Sequence, residues 1–382
     1  MNTESEKGTA ARASRDLPGP LAMGLNCWMV GHRNAATLLQ CNTYLRVLGE
    51  GNSAVRVCID PGSQLDLEVI RANLAGLIGG LKEIDFFTLN HQDPDVVGNS
   101  PYFCEANPQV GVVVTEEVWR LVQHLRMKPG RVQFANPARL PRLRLSQHAT
   151  WQPLPTPFCH FRGAMAYYDP EIRTLFTGDL FGGFNQLGRI HLFAEEDDWA
   201  GIAQFHQIYM PTREVLRYAV RQIRALQPRV EVIAPQHGYV IAGRLVELFL
   251  DKMYDLEVGN DLLAAELDES YLSGYREVLD QMVSWAAEMM GKDEVFERLK
   301  HSNVEDGLGQ LIRIDGDSVQ LAREAYSAIA KVFARISQGE PPEFTNAMRS
   351  LVLDTCSERR VPIPPIGLGI EDSPATGASP AD

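Results

Sequence analysis

The segment Asn90-His91-Gln92-Asp93-Pro94-Asp95-Val96-Val97-Gly98 constrains this chain more than any other part of it. It follows directly on the apolar run Phe86 to Leu89, so one imidazole and two carboxylates occupy alternate positions on a turn leaving a strand. Donors of that kind at that spacing make an oxygen-rich metal cradle. Three further segments offer metal-type donors at the ends of expected strands: His160 in Phe158-Cys159-His160, Asp179 in Thr177-Gly178-Asp179-Leu180-Phe181-Gly182-Gly183, and His237 in Ala234-Pro235-Gln236-His237-Gly238. Loops held by a rigid sheet are where such side chains can converge. A lone core histidine or a turn-capping aspartate is the commoner use of each residue; the set, in this order, carries the metal reading. Three imidazoles and three carboxylates suffice for two metal ions if one carboxylate bridges them, and Asp179 is the expected bridge. Gly98, Gly178 and Gly238 would let the backbone turn sharply beside the ions.

Short β-type runs and amphipathic helical runs alternate from about Met23 to Val240. The β-type runs are Thr43–Leu48, Ala54–Ile59, Phe86–Leu89, Val110–Val114, Ala164–Tyr168, Thr174–Thr177 and Val230–Ile233; helices are expected over Leu65–Leu81, Thr115–Met127 and Thr212–Leu226. Ala164 to Thr177 reads as a hairpin turning at Asp169-Pro170-Glu171, where proline presets the backbone angle. This mixture implies a layered α/β domain. After Gly243 the pattern turns helical, over Val246–Val258, Leu262–Leu267, Tyr271–Met290, Val319–Ile336 and Phe344–Cys356. The organisation expected is a disordered N-terminus over residues 1–16, a metal-binding domain over 17–255, a helical domain over 256–357, and a flexible Pro/Gly/Ser/Ala-rich tail over 358–382.

As a set, these residues resemble the metallo-β-lactamase superfamily, and within it the oxygen-reducing diiron branch best known from flavodiiron proteins. That branch carries H-x-E-x-D-H-x-G, then a histidine, an aspartate and a His-Gly; this chain has His91-x-Asp93-x-Asp95-Val96-x-Gly98, His160, Asp179 and His237-Gly238. Asn42-Thr43-Tyr44, Leu175 to Gly182 and Met210-Pro211 add to the likeness, which covers about residues 23 to 245. The resemblance implies an αββα sandwich. It also implies one ion on His91, Asp93 and His160, a second on Asp95 and His237, and Asp179 shared. Two positions depart from the pattern: Asp93 is one methylene shorter than the usual glutamate, and Val96 stands where the motif has histidine, which leaves the second ion one protein ligand short. The zinc hydrolases of the superfamily usually show H-x-H-x-D-H; Asp93 in place of the second histidine makes the site harder and more anionic, which suits two iron ions better than zinc.

The function this implies is a non-haem diiron protein that binds or reduces O2, or NO, as an oxygen sensor or as a reductase. The alternative is a dinuclear hydrolase, with zinc or iron, acting on an ester, thioester or phosphodiester. No phosphate-binding loop of the flavodoxin type stands between a strand and a helix, and no C-x-x-C pair occurs, so no flavin is expected in this chain and reduction would draw on a separate electron donor. A homodimer is expected from the resemblance, with the stripe Leu321, Ala325, Ala328 and Val332 either lining its interface or packing on the chain's own helices. The formal net charge of -13 disfavours nucleic acid and anionic membranes as partners. Six scattered cysteines, no apolar leader and no run long enough to span a bilayer point to the cytoplasm. His32, His124, His148, His191, His206 and His301 lie outside the motif order, as do Tyr44, Tyr168 and Tyr209, and no site role is assigned to them.

Overall fold

A computed structural model describes residues 16–17, 19–34, 38–137, 141–146, 149–186, 188–265, 271–300, 307–316, 318–322 and 324–367. Most of the expected N-terminal segment, the tail beyond 367, His148 and His301 lie outside the described residues. The chain divides into two compact units, at Leu262 and Leu263.

The first unit contains two mixed sheets. One runs in chain order: β1 (Leu21–Gly24), β2 (Cys27–Met29), β3 (Tyr44–Leu48), β4 (Val55–Ile59), β5 (Phe86–Thr88), β6 (Gly111–Val114) and β7 (Arg131–Phe134). The first four strands pair antiparallel and the last four parallel. The second sheet is β8 (Leu143–Arg144), β9 (Thr150–Pro155), β10 (Met165–Asp169), β11 (Thr174–Gly178), β12 (Val232–Pro235) and β13 (Ile241–Ala242), antiparallel except between β11 and β12. The β10–β11 hairpin turns where the sequence places it, with the Asp169 carboxylate accepting from the Glu171 backbone N–H at 3.0 Å.

Both faces of the first sheet are buried at its centre, which is why β5 and β6 read as continuous apolar runs. Tyr44, Ile59, Phe86 and Val113 point inward, and with Trp151, Tyr167 and Phe176 of the second sheet they form the layer between the sheets. Their chain neighbours Leu45, Cys58, Phe87 and Val112 point outward, onto Ile70 and Leu74 of the helix Leu67–Ile78 and Val118 of the helix Glu116–Val122. Over the second sheet lie further helices, of which Arg213–Arg224 packs on β9. The arrangement is the expected αββα sandwich. No helix among the described residues is long and apolar enough to cross a membrane.

One inward position breaks the apolar alternation. Arg46 of β3 lies between the sheets, with its Nε donating to Asp169 of β10 at 2.9 Å and one terminal nitrogen donating to the carbonyls of Leu25 and Val47. The pair ties one sheet to the other and fixes their register.

The second unit surrounds the long helix Leu272–Met290 with the helices Lys292–Lys300, Ala325–Ser337 and Pro342–Arg359. The helix Lys292–Lys300 is not among the expected runs, and the unit differs from the sequence reading in two further places. Ile312–Asp315 and Ser318–Leu321 form an antiparallel hairpin, so the stretch expected as one helix from Val319 starts as a strand and becomes helical only at Ala325. The segment expected as a loose tail from 358 is packed as far as it is described: Val361, Ile363 and Ile366 join the unit's core. Ala325, Ala328 and Val332 are buried in that core and Leu321 packs against it, so this stripe is used internally.

Removing one partner of a buried ion pair strands a charge, which costs about 3–5 kcal/mol. Asp169→Ala should therefore lower the unfolding free energy of the first unit by that amount in chemical denaturation. Glu171→Ala, at the exposed end of the same arginine, should cost under about 1 kcal/mol.

Candidate metal centre

The parallel strands of both sheets deliver their C-terminal ends to one place, which is where α/β sheets place their sites. His91 follows β5, Asp179 follows β11, and His237 follows β12. His160 comes from the β9–β10 connection, and Asp93 and Asp95 flank the start of the short helix Pro94–Val97. The loops are bonded to one another across the sheets. The Met165 N–H donates to the Asn90 carbonyl at 3.1 Å, the Gln236 N–H to the Gly178 carbonyl at 2.8 Å, and the Asn42 N–H to the Gln236 carbonyl at 2.5 Å.

All six donors named from the sequence meet around the Asp179 carboxylate. Its Oδ2 lies 3.6 Å from His91 Nε2 and 3.3 Å from His160 Nε2, while Asp93 Oδ2 lies 3.0 Å from His160 Nε2 and 3.7 Å from His91 Nε2. Its Oδ1 lies 3.5 Å from His237 Nε2, which is 3.2 Å from Asp95 Oδ2. Each carboxylate oxygen thus faces its own cluster. Donors about 2.0–2.2 Å from a common ion stand roughly 3.0–3.6 Å apart, so these separations suit one ion per cluster.

The protonation pattern points the same way. His91 Nδ1 is 3.0 Å from Asn90 Oδ1, and His237 Nδ1 is 2.8 Å from the Gln40 carbonyl. Each ring therefore donates through Nδ1 and turns Nε2 inward, where loss of its proton exposes a lone pair, the arrangement that metal-binding imidazoles adopt. His91 Nε2 and Asp179 Oδ1 are buried and make no hydrogen bond. Such atoms are costly unless something else engages them, and two cations would engage both.

Without cations, the imidazoles and carboxylates hold one another in charged form. Burial pulls His91 and His237 down, but Asp179 with Asp93, and Asp179 with Asp95, outweigh it and leave both raised. Hydrogen bonds to Asp179 and Asp93 push His160 up to about 10. Burial opposes ionisation of Asp179 and Asp93, yet the surrounding imidazoles keep both well below the usual carboxylate range. A cation entering here takes the place of imidazole protons.

Several further residues support the donors. Asp60, at the end of β4, is buried and accepts the Asn90 N–H at 2.8 Å; burial pushes it up to about 7. Asn90 also donates through Nδ2 to the Met165 carbonyl at 2.6 Å, which orients the side chain that holds His91. Gly178 has φ +61°, and a Cβ there would lie 2.0 Å from Asn90 Cγ. The His237 loop is held by Asn42 Nδ2 and the Tyr44 hydroxyl, which donate to the Pro235 carbonyl, and by the buried Arg33, which donates to the Gly238 carbonyl. Cys41 is a potential donor that the sequence reading did not name. Its sulfur, a carboxylate oxygen of Asp95 and a ring nitrogen of His237 lie within 4.8 Å of one another. Burial raises this thiol, and a hydrogen bond with His237 offsets part of that effect.

The floor of the site is closed and its rim is open. His91, His237 and Asp179 are 1%, 2% and 4% exposed, whereas His160 is 21% and Asp93 and Asp95 each 33% exposed. Phe205 lies 5.2 Å from the His237 ring and 4.6 Å from Tyr209, which lies 5.9 Å from His160, so an aromatic wall borders both clusters. Of the remaining candidates, Tyr44 and Tyr168 bond backbone carbonyls, and His206 is locked neutral between the Phe181 N–H and the Ile202 carbonyl, with burial pulling it down to about 4. His191 stacks on Tyr239 beside Asp198.

A family model described as ODP family beta lactamase matches residues 39–238, more than half of the 382-residue chain. The chain belongs to that family. Among solved structures, the fold is similar to that of the apo state of the chemotaxis sensor ODP from T. denticola, with a TM-score of 0.52, 21% identity, and coverage of 64% of this chain and 97% of that one. A structure described as a peroxy diiron species of the chemotaxis sensor ODP matches with a TM-score of 0.53 and 22% identity, over 64% of this chain and 98% of that one. The flavodiiron protein from Giardia intestinalis matches at 0.53 and 16% identity, over 61% and 58%. In sequence, "Diflavin flavoprotein A 1" of Synechocystis sp. is 31% identical over 110 residues, 28% of this chain and 18% of that protein. The match thus spans under a fifth of this curated relative.

Two predictions follow from the geometry. Gly178→Ala should displace Asn90, free the His91 ring and weaken metal loading about 10–100-fold in equilibrium dialysis, whereas Gly76→Ala, with nothing within 4 Å, should leave it unchanged. Because His160 holds its proton up to about pH 10 without metal, loading should release protons and tighten as pH rises from roughly 6 to 8. Calorimetry in buffers of different ionisation enthalpy measures both effects.

Proposed function

We propose that this protein is a non-haem diiron protein that binds O2 or NO and serves as a sensor of that gas, with reduction by a separate electron donor as the variant of the same chemistry. The observation that carries this reading is the pair of donor clusters on opposite oxygens of Asp179. Three carboxylates, Asp93, Asp95 and Asp179, make the donor set hard and anionic, which favours iron over the imidazole-rich surroundings of hydrolytic zinc. His91, Asp93 and His160 would hold one ion, Asp95 and His237 the other, and Asp179 both.

Bound iron would supply affinity for a diatomic gas and the electrons for its reduction. The protein's own part is positional. Asn90 and the Gln40 carbonyl fix the two buried imidazoles, Asp60 anchors Asn90, and the open rim at Asp93, Asp95 and His160 gives a small ligand its way in. Phe205 and Tyr209 keep one side of that approach apolar. The sensor reading is supported by coverage: the matched part of this chain spans 97% of the chemotaxis sensor from T. denticola but 58% of the Giardia flavodiiron protein. Alongside this part the chain carries the helical second unit, which we assign to contact with a partner or a second copy of the chain.

The reading is tested by metal analysis of protein purified without added metal, followed by anaerobic reduction and exposure to O2 or NO under a visible spectrometer. About two irons per chain and a new absorption band on gas exposure are expected. Two zincs with ester, thioester or phosphodiester turnover would replace it with the hydrolase reading. Asp179→Ala should lose both ions. Gln92→Ala should keep them, because Gln92 bonds only Asp93 Oδ1, the oxygen turned away from His160.

A further inference from the structure

The two clusters are unequal if only the motif residues are counted. One side of Asp179 has His91, Asp93 and His160, whereas the other has Asp95 and His237. Val96, where an additional imidazole would belong, is fully buried in the apolar layer between the first sheet and its helices, so it offers the site nothing. Cys41 stands on this poorer side. Its Sγ is 3.9 Å from Asp95 Oδ2 and lies with Asp95 and His237 in one group of potential donors. The buried, unpartnered Asp179 Oδ1 faces the same cluster.

The chain around Cys41 is built to hold it there. The Gln40 carbonyl accepts from His237 Nδ1 at 2.8 Å, and Asn42 is bonded to the carbonyls of Gln236, Pro235 and Gly238. Both neighbours of Cys41 are therefore pinned to the loop that carries His237. Gly31 packs against the Cys41 carbonyl so closely that a Cβ would lie 2.8 Å from that oxygen. The other five cysteines are buried, and none of them falls in a cluster of potential metal donors among the described residues.

We infer that Cys41 is a metal ligand, supplying a thiolate to the ion held by Asp95, His237 and Asp179 in the place that Val96 leaves empty. The thiol proton passes to solvent as the sulfur–metal bond forms. Sulfur ligation makes the two ions inequivalent: one sits among nitrogen and oxygen donors alone, the other carries a soft, electron-rich donor that favours its oxidised form. This inference rests on the metal reading of the site and adds a residue that the motif does not contain.

Cobalt(II) loading of the full-length protein tests it, because a cobalt–thiolate bond gives a sulfur-to-metal charge-transfer band in the near ultraviolet that nitrogen and oxygen donors do not. Wild-type protein should bind about two cobalt ions per chain and show the band. Cys41→Ser should lose the band and weaken the second ion by about tenfold or more, with the first unaffected. Two bound ions without the band in the wild type would overturn the role of Cys41 and leave the dinuclear reading standing. Persistence of the band in Cys41→Ser would also overturn it, by assigning the sulfur to another cysteine. Failure of the wild type to bind metal at all would overturn the dinuclear reading and this inference together.

Discussion

A buried carboxylate between two donor clusters, one with two imidazoles and the other with one, is the constraint on which the rest of this structure turns. Asp179 is 4% exposed at the side chain and has one oxygen turned to each cluster. A negative charge in such a place is tolerated only if it is compensated, by imidazolium protons or by cations. Both states use the same side chains, so the site is held together without metal by protons that a metal would later displace.

Compensation at that point requires precise placement, and the two sheets supply it. The strand that ends at Thr88 is parallel to its neighbours, and the strands that end at Gly178 and Pro235 are parallel to each other, so within each sheet the ends that carry donors open on one side. Backbone bonds from Met165 to Asn90 and from Gln236 to Gly178 then lock the site loops together. The layer between the sheets, with Trp151 stacked on Phe176 and Arg46 paired to Asp169, keeps those loops in register. Site and core are therefore coupled: the apolar layer fixes the ends of the strands, and the ends of the strands fix the donors.

Legibility from sequence followed the strength of local pattern. Strands β3 to β6, β10 and β11 were recoverable to within one or two residues because they are short, largely buried runs rich in β-branched and aromatic residues. Strand β9, Thr-Trp-Gln-Pro-Leu-Pro, was not: its two prolines argue against a strand. The hairpin at Ile312–Leu321 was hidden because Val319 and Leu321 also fit a helical stripe continuing into Ala325 and Ala328. At the site, the six motif donors were visible as donors and the structure brings all six together. Asp60 and Cys41 were invisible because nothing in their spacing relates them to the motif; they reach the site through the strands they adjoin, and the role of Asn90, though it stands beside His91, shows only in its bonds.

The sequence by itself determined the layered α/β class, since alternation of β-type and amphipathic runs leaves few ways to bury both, and it determined which imidazoles and carboxylates could serve as donors. Only the tertiary structure decided how they are shared out. Which oxygen of Asp179 faces which histidine, and whether Cys41 stands beside Asp95, depend on strands as far apart in the chain as β3 and β12, of different sheets, being brought together. Local sequence fixes what a residue can offer chemically, whereas packing over long chain separations fixes what it meets.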